Sequence, residues 1–366
     1  MTGVQRPRRV LVNAVAARTG GGGTVVVSQL GALAPRDELD LTVVARGEVA
    51  DQLERIAGLR VQRPPARSLV WRLLWEHLVL AARSRQYDVL YCTGNFALPL
   101  ARGPQVVAML NALLFGAAAR RARSRFPRRG RARLRLEAVL ARVSVRRATA
   151  VITISESLRS AIEEDLGPRP CVRAIRCATP ILPPPRPSPR SVPYVLGVAN
   201  DYPHKDWDAL VATFAAHRDL PPLVAVGRFT AARRSRLERA ARGRVRFAGT
   251  VTTAELADLY GGAACCVVHS WVEAFGLTAL EALSCGTAVI ASDIPAHREV
   301  CRDRAVYYDP ADMTALAQIV RTLVARESRD HAAARADRAW TWDDNAREVA
   351  AVLVAAGRSG RFDDGP

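Results

Sequence analysis

Short, predominantly apolar runs alternating with helical stretches constrain this chain more than any other feature of its sequence. Residues 194–198, 223–226, 245–248, 265–268, 288–290 and 305–308 are each long enough for one buried strand. Between them, residues 207–217, 233–242, 255–260, 278–285 and 313–326 carry helical patterns. A strand that is apolar on both faces has to be covered on both faces, which is the situation of parallel strands flanked by helices. A less regular version of the same alternation runs through residues 10–15, 41–45, 89–92, 106–110 and 150–154. Residues 179–193 hold seven prolines, so this segment is neither helix nor central strand and marks a domain boundary. Thr252 and Glu255 have the spacing of a capping box and open one of the helices. The pattern predicts an α/β protein of two doubly wound parallel-sheet, Rossmann-like domains facing across a cleft.

The bulk numbers agree with that plan. At 366 residues the chain exceeds one ordinary core, and two domains of roughly 150–200 residues are expected. The seven cysteines contain no C-x-x-C pair and read as buried thiols in a reducing compartment. Arginines ahead of an apolar run give the N-terminus the look of a signal peptide. That run is short, is broken by Asn13 and leads to Arg18 without a small-residue cleavage site, so a first β-strand is expected instead. No stretch reaches the roughly 18 apolar residues of a membrane-spanning helix. The expected location is cytoplasmic, with a peripheral place on the inner face of the plasma membrane as its extension.

The peripheral place follows from where the charge lies. The formal net charge is +18. Residues 1–190 hold 32 arginines against 13 acids, an excess of 19, while residues 191–366 hold 21 basic against 22 acidic groups. Residues 120–147 alone carry 12 arginines and the single acid Glu137. Leu136, Val139, Leu140 and Val143 recur there at helical spacing, so the stretch is expected as one basic amphipathic helix. Three readings stand: a solvated arginine-rich face, attraction to an anionic membrane surface, or a nucleic-acid footprint. Phe126 is the only aromatic residue available for base stacking, so no nucleic acid is expected as a partner.

Ligands of such folds bind beyond the carboxyl ends of the strands, where helix N-termini hold anions. After the first strand, Gly20, Gly21, Gly22 and Gly23 would let the backbone approach a phosphate or sugar closely, although they form no GxGxxG fingerprint. After the first strand of the second half comes Lys205, the only lysine among 53 basic residues. An ammonium is a compact point charge where a guanidinium is a wide planar fork, which suits Lys205 to a crowded diphosphate. Further on, Glu273 stands in a loop, Gly276 opens a helix, and Glu281 lies just over one turn into it. The N–H groups of Gly276, Leu277 and Thr278 would cradle an anion, and the two carboxylates are bidentate acceptors suited to vicinal hydroxyls.

Read together, these residues resemble the family 4 retaining glycosyltransferases. The block from Ser270 to Val300 is similar to that family's signature, centred on Glu-x7-Glu, here Glu273 and Glu281. The resemblance is specific over residues 194–312 and weaker through the glycine loop and residues 148–157. It implies the GT-B fold: an N-terminal acceptor-binding domain (1–180, with a C-terminal helix 343–357 packing back on it), a linker (181–193) and a donor-binding domain (194–342). It implies transfer of a hexose from a nucleotide-diphosphate sugar to a saccharide or lipid-linked acceptor, in cell-envelope polysaccharide or glycolipid synthesis. Lys205 and Glu273 would be the catalytic residues. Lys205 would neutralise the diphosphate, Glu281 would hold the ribose, and Glu273 would contact the transferred sugar. Phe275, Gly276, Leu277 and Thr278 would line the phosphate and sugar, and Val251 would sit in the base-reading loop. Gly20 to Gly23 and Asn111 would belong to the acceptor and phosphate loop. No metal and no cofactor beyond the donor is implied, and residues 120–147 would meet the anionic membrane. Two departures matter. Ala199 stands where the family often has an arginine, and Leu110 and Asn111 stand where it often has a histidine. They keep open an alternative: a degenerate, non-catalytic sugar-nucleotide or polyanion-binding subunit of the same fold.

Overall fold

The computed structural model describes residues 6–18, 20–65, 68–179, 182–186, 193–325 and 340–358. Thr19 of the glycine loop, much of the proline-rich linker and the C-terminal tail lie outside them. Among the described residues thirteen strands form two sheets, all of them paired in parallel. The first contains β1 (Arg8–Asn13), β2 (Leu39–Val44), β3 (Arg60–Gln62), β4 (Val89–Cys92), β5 (Gln105–Met109), β6 (Ala150–Thr153) and β7 (Val172–Ala174), in the order β3-β2-β1-β4-β5-β6-β7. The second contains β8 (Val195–Val198), β9 (Leu223–Val226), β10 (Val245–Gly249), β11 (Cys265–Val268), β12 (Val289–Ser292) and β13 (Ala305–Tyr308), in the order β10-β9-β8-β11-β12-β13. The apolar runs become these strands because helices cover both faces: β4, β5, β6, β9, β11 and β12 are buried at every residue.

The chain divides into two compact units. One comprises Met1–Ala117, Ala132–Ala178 and Trp340–Pro366, and the other Ala118–Arg131 and Thr179–Ala339. The helix Trp342–Ala356 belongs to the first unit and lies against the helix Gly21–Leu33. A buried polar chain pins it there. Tyr91 donates to Gln29 at 2.5 Å, Gln29 donates to Asn345 at 3.0 Å, and Asn345 donates to the carbonyl of Arg176 at 2.8 Å. In the second unit Trp207, Phe214, Leu223, Phe247 and Leu316 centre the core.

The arginine-rich stretch departs from expectation. It is two helices, Gly116–Arg123 and Arg128–Arg147, because residues 124–127 end in Pro127 and cannot continue the first one. Residues 118–131, expected within the N-terminal domain, group with the second unit instead, because Arg125 and Phe126 pack on it. The longer helix buries Leu134, Ala138, Ala141 and Val145, which leaves Leu136, Val139, Leu140 and Val143 exposed. Val70, Trp71, Leu74 and Leu78, on another helical stretch of the first unit, are exposed too, Trp71 by 67%. Among the described residues no helix is long and apolar enough to cross a membrane.

Candidate active site

An open parallel sheet has one place where the strand order reverses, and the loops leaving the two strands there diverge to make a crevice. In the second sheet that place lies between β8 and β11, paired in register from Cys265 opposite Val195 to Val267 opposite Gly197. Lys205 lies on the loop after β8 and Glu273 on the loop after β11. Topology alone therefore brings together two residues 68 positions apart. Lys205 Nζ donates to Glu273 Oε1, and both side chains are largely buried, 15% and 16% exposed. Burial opposes the charge on Glu273, yet Lys205, His204 and His297 together outweigh it and hold the carboxyl at about 2. The pair is therefore ionised at neutral pH. An ammonium has three donors, so Lys205 can keep Glu273 and still meet the oxygens of an anion.

Three imidazoles surround the pair, and all are neutral near pH 7. Burial, reinforced by Lys205, brings His204 down to about 4, burial brings His269 to about 4, and burial lowers His297. His269 Nδ1 meets the Tyr308 hydroxyl at 2.6 Å, and His297 Nδ1 lies 2.9 Å from the carbonyl of Ser292. That second contact makes His297 Nδ1 the protonated nitrogen, because a carbonyl can only accept.

The helix Leu277–Ser284 begins at Gly276, whose φ of 113° puts it in the glycine-favouring region, and no side chain caps it. A Cβ on Gly276 would also lie 3.3 Å from the His297 ring. The first amides of a helix have no partner within it and carry its positive end, so Leu277 and Thr278 present open donors four and five residues beyond Glu273. Thr278 Oγ1 reaches the carbonyl of Val198 at 3.5 Å, at the limit of a hydrogen bond, and ties this helix start to the end of β8. Phe275 is buried beneath it. Glu281 accepts from the buried Tyr260 hydroxyl at 2.8 Å. Burial raises the Glu281 carboxyl above its ordinary range, and the Tyr260 hydroxyl only partly offsets that. The two carboxylates of the Glu-x7-Glu pair are thus opposites: one held ionised by a cation, the other biased towards its neutral form. Val251 lies half-buried between β10 and the helix Thr253–Gly262, after the positive φ of Gly249.

The first unit places its predicted residues differently. Gly20 (φ 116°) precedes the helix Gly21–Leu33, so Gly21, Gly22 and Gly23 form its first turn. Gly23 is glycine for an internal reason: a Cβ there would fall 2.2 Å from the carbonyl of Arg18. Gly22 faces open space. Asn111 caps a short 3₁₀ turn, accepting from the Leu113 amide at 3.0 Å, while Asn95 accepts from the amides of Leu110 and Asn111. These asparagines are engaged with their own backbone.

Sequence reasoning missed two residues that support this site, Tyr260 and Arg125, and one buried acid of the first unit, Glu76. Tyr260 lies 21 residues from Glu281 and gave no signal beyond an aromatic at a helical position. Arg125, buried in an arginine-rich run, lies over the Trp271 ring. Glu76 is 7% exposed within a π-helical segment, Trp75–Leu80, and burial raises its carboxyl. A lone acid inside the apolar run WRLLWEHLVL was the signal available for Glu76.

Two doubly wound parallel sheets, with a charged pair and an open helix start at the switch point of the second, define the GT-B class of glycosyltransferase fold. The chain belongs to the family 4 glycosyltransferases: it matches Glycosyltransferase Family 4 over residues 19–180 and Glycosyl transferases group 1 over residues 180–340. Among similar proteins, the O-antigen chain mannosyltransferase B of Escherichia coli is 38% identical over 94 residues, 25% of each chain. The phosphatidyl-myo-inositol mannosyltransferase of Mycobacterium tuberculosis is 33% identical over 128 residues, 32% of each chain. The chain thus spans a quarter to a third of the length of these relatives. Anabaena HepE, solved with UDP-glucose, shares the fold with a TM-score of 0.66 at 18% identity, over 95% of this chain and 96% of that one.

Proposed function

We propose that the protein is a retaining hexosyltransferase that takes its sugar from a nucleotide-diphosphate donor held by the second unit. The observation that carries this reading is the ionised Lys205–Glu273 pair at the switch point, three residues from an uncapped helix N-terminus. Lys205 and the amides of Gly276, Leu277 and Thr278 take the diphosphate, with Phe275 beneath them. Glu281 accepts the ribose hydroxyls, the Val251 loop meets the base, and Glu273 contacts the transferred sugar. Glycosyl transfer breaks the bond between the anomeric carbon and the diphosphate oxygen, and a bond to the acceptor oxygen replaces it. Negative charge grows on the diphosphate in the transition state, which is where preorganised cations and amides act. The acceptor proton passes to the leaving phosphate, since Leu110 and Asn111 offer no base. Lys205 and the helix start supply the positive charge, so a chelator should leave turnover unchanged.

The acceptor is a saccharide or a lipid-linked molecule, handled by the first unit with Gly20, Gly21, Gly22 and Asn111 near it. Glycosyl transfer to a phosphatidyl-inositol is named for one relative. The exposed apolar residues Trp71, Leu78, Leu136 and Val139 lie on helical surfaces of a unit rich in arginine. Such surfaces suit an anionic bilayer, at about 1 kcal/mol per basic residue near it, and support a peripheral position on the cytoplasmic face of the membrane that holds its acceptor.

Calorimetry with a panel of nucleotide sugars, followed by a nucleoside diphosphate release assay on those that bind, tests the reading. Binding with turnover once acceptor extract is added supports it, and binding without turnover supports the non-catalytic alternative. Co-sedimentation with anionic vesicles should exceed that with neutral vesicles, and equal binding to both would remove the electrostatic attachment.

A further inference from the structure

Lys205 sits on a short and unusual piece of backbone. It ends a three-residue 3₁₀ turn, Pro203–Lys205, and Asp206 follows it with a φ of 45°. A non-glycine residue in that conformation persists only where its surroundings fix it. Asp206 Oδ1 caps the next helix through the amide of Ala209. Its Oδ2 accepts from Trp271 Nε1 at 3.2 Å and from Arg125 Nη1 at 2.5 Å. The Arg125 guanidinium also lies over the Trp271 ring, 3.7 Å from its centroid. One residue on, Phe126 stacks on His204 with ring centroids 6.1 Å apart and planes 14° apart, and His204 stacks on Tyr202. The amide of Trp271 closes the arrangement on the carbonyl of His204 at 2.9 Å.

Arg125 and Phe126 therefore hold the residue before Lys205, the residue after it, and Trp271, two positions ahead of Glu273. They lie in the break between the helices Gly116–Arg123 and Arg128–Arg147, within the segment that groups with the second unit. We propose that Arg125 and Phe126 form a strap that positions Lys205, and so set the affinity for the diphosphate group without touching it. The proposal rests on the reading of Lys205 as the diphosphate contact. An exposed arginine–carboxylate pair would contribute little by itself. Here the carboxylate is shared with an indole N–H and a helix cap, and a planar cation covers the same indole. The arrangement fixes direction more than it adds energy. A long, rotatable ammonium depends on such fixing of its backbone, because a displacement of about 1 Å at a reacting group can cost up to a hundredfold.

The strap separates two affinities that a purely structural contact would lower together. The probes are UDP, GDP and ADP with their nucleosides, titrated calorimetrically into wild type, Arg125→Ala, Phe126→Ala, Phe126→Tyr, Asp206→Asn and Lys205→Ala. Thermal unfolding of each variant confirms its fold. Arg125→Ala and Phe126→Ala should weaken the bound nucleoside diphosphate about tenfold or more and leave its nucleoside unchanged, while Phe126→Tyr keeps the stacked ring and binds as wild type. Asparagine still caps a helix, so Asp206→Asn should reproduce Arg125→Ala, and an Arg125→Ala/Asp206→Asn double variant should be no weaker than either. If Lys205→Ala binds the diphosphate normally, the site reading itself fails. If Lys205→Ala loses it while both strap variants bind as wild type, the strap is overturned. A loss in Arg125→Ala with none in Asp206→Asn would make Arg125 a direct phosphate contact and overturn the positioning role.

Discussion

The two sheets share the same order over their first six strands, to which the first sheet adds β7, and they differ in what their switch points hold. Between β8 and β11 the diverging loops bring an ammonium onto a carboxylate, with three neutral imidazoles around them and an open helix start beside them. Between β1 and β4 the first loop ends in glycines, one of which closes on the backbone of Arg18. The asparagines near β4 and β5 are engaged with their own loops. Topology says where a ligand can enter, and side chains say which ligand. The second unit offers an incoming anion an ammonium and open amides, while the first offers a glycine turn and an arginine-rich helical exterior.

The sharpest way to break this contrast is to remove its charge. Lys205→Ala should lower turnover about a hundredfold to a thousandfold. It should also leave Glu273 as an uncompensated buried charge, which destabilises by about 3 kcal/mol. A Lys205→Ala/Glu273→Gln double variant should recover most of the thermal midpoint and none of the turnover. A double variant as unstable as Lys205→Ala would remove the ion pair from the account. Lys205→Arg keeps the charge but replaces the point ammonium with a wide fork, and should still lose most of the activity.

Glu281 gives a smaller and pH-dependent effect. Burial raises its carboxyl, so the free protein should lose its ribose acceptor on acidification sooner than an ordinary carboxylate would allow. Glu273 is held near 2 and contributes nothing to that limb. Its depressed value instead stabilises the fold above about pH 4.5, and this stabilisation is lost as pH falls towards 2. Donor affinity measured from pH 7 to 5 should therefore decline in wild type. In Glu281→Gln it should be weaker by about tenfold and flat across the range. A parallel decline in both would assign the limb to another group.

The glycines of the first unit test the other side of the contrast. Gly23→Ala collides with the carbonyl of Arg18 and should destabilise by about 1–3 kcal/mol, as overpacking does. Gly22→Ala points into open space within a helix and should stabilise by about 0.5–1 kcal/mol. If Gly22 faces the acceptor, the same variant raises the acceptor KM without changing donor affinity, and an unchanged KM would take Gly22 out of the site.

Much of the fold was legible because a strand buried on both faces has to be written in apolar residues, as Cys265–Val268 and Leu223–Val226 are. Arg60–Gln62 and Val172–Ala174 were not, since three residues at a sheet edge are half exposed and need no such pattern. The arginine-rich stretch misled as a single helix because charge density masked Pro127. The loops bearing Lys205, Glu273 and Glu281 could be read as loops and a helix start. Their pairing could not: the partners of Lys205, Glu281 and Asp206 lie 68, 21 and 81 residues away, and no local pattern in the sequence joins them.

The claim that the ammonium at the second switch point binds the donor's diphosphate is tested most directly by one difference. That difference is the affinity for a nucleoside diphosphate minus that for its nucleoside, measured by calorimetry in wild type and in Lys205→Ala. The account predicts a large difference in wild type that nearly vanishes in the variant, with nucleoside binding unchanged. An equal difference in both proteins would contradict it.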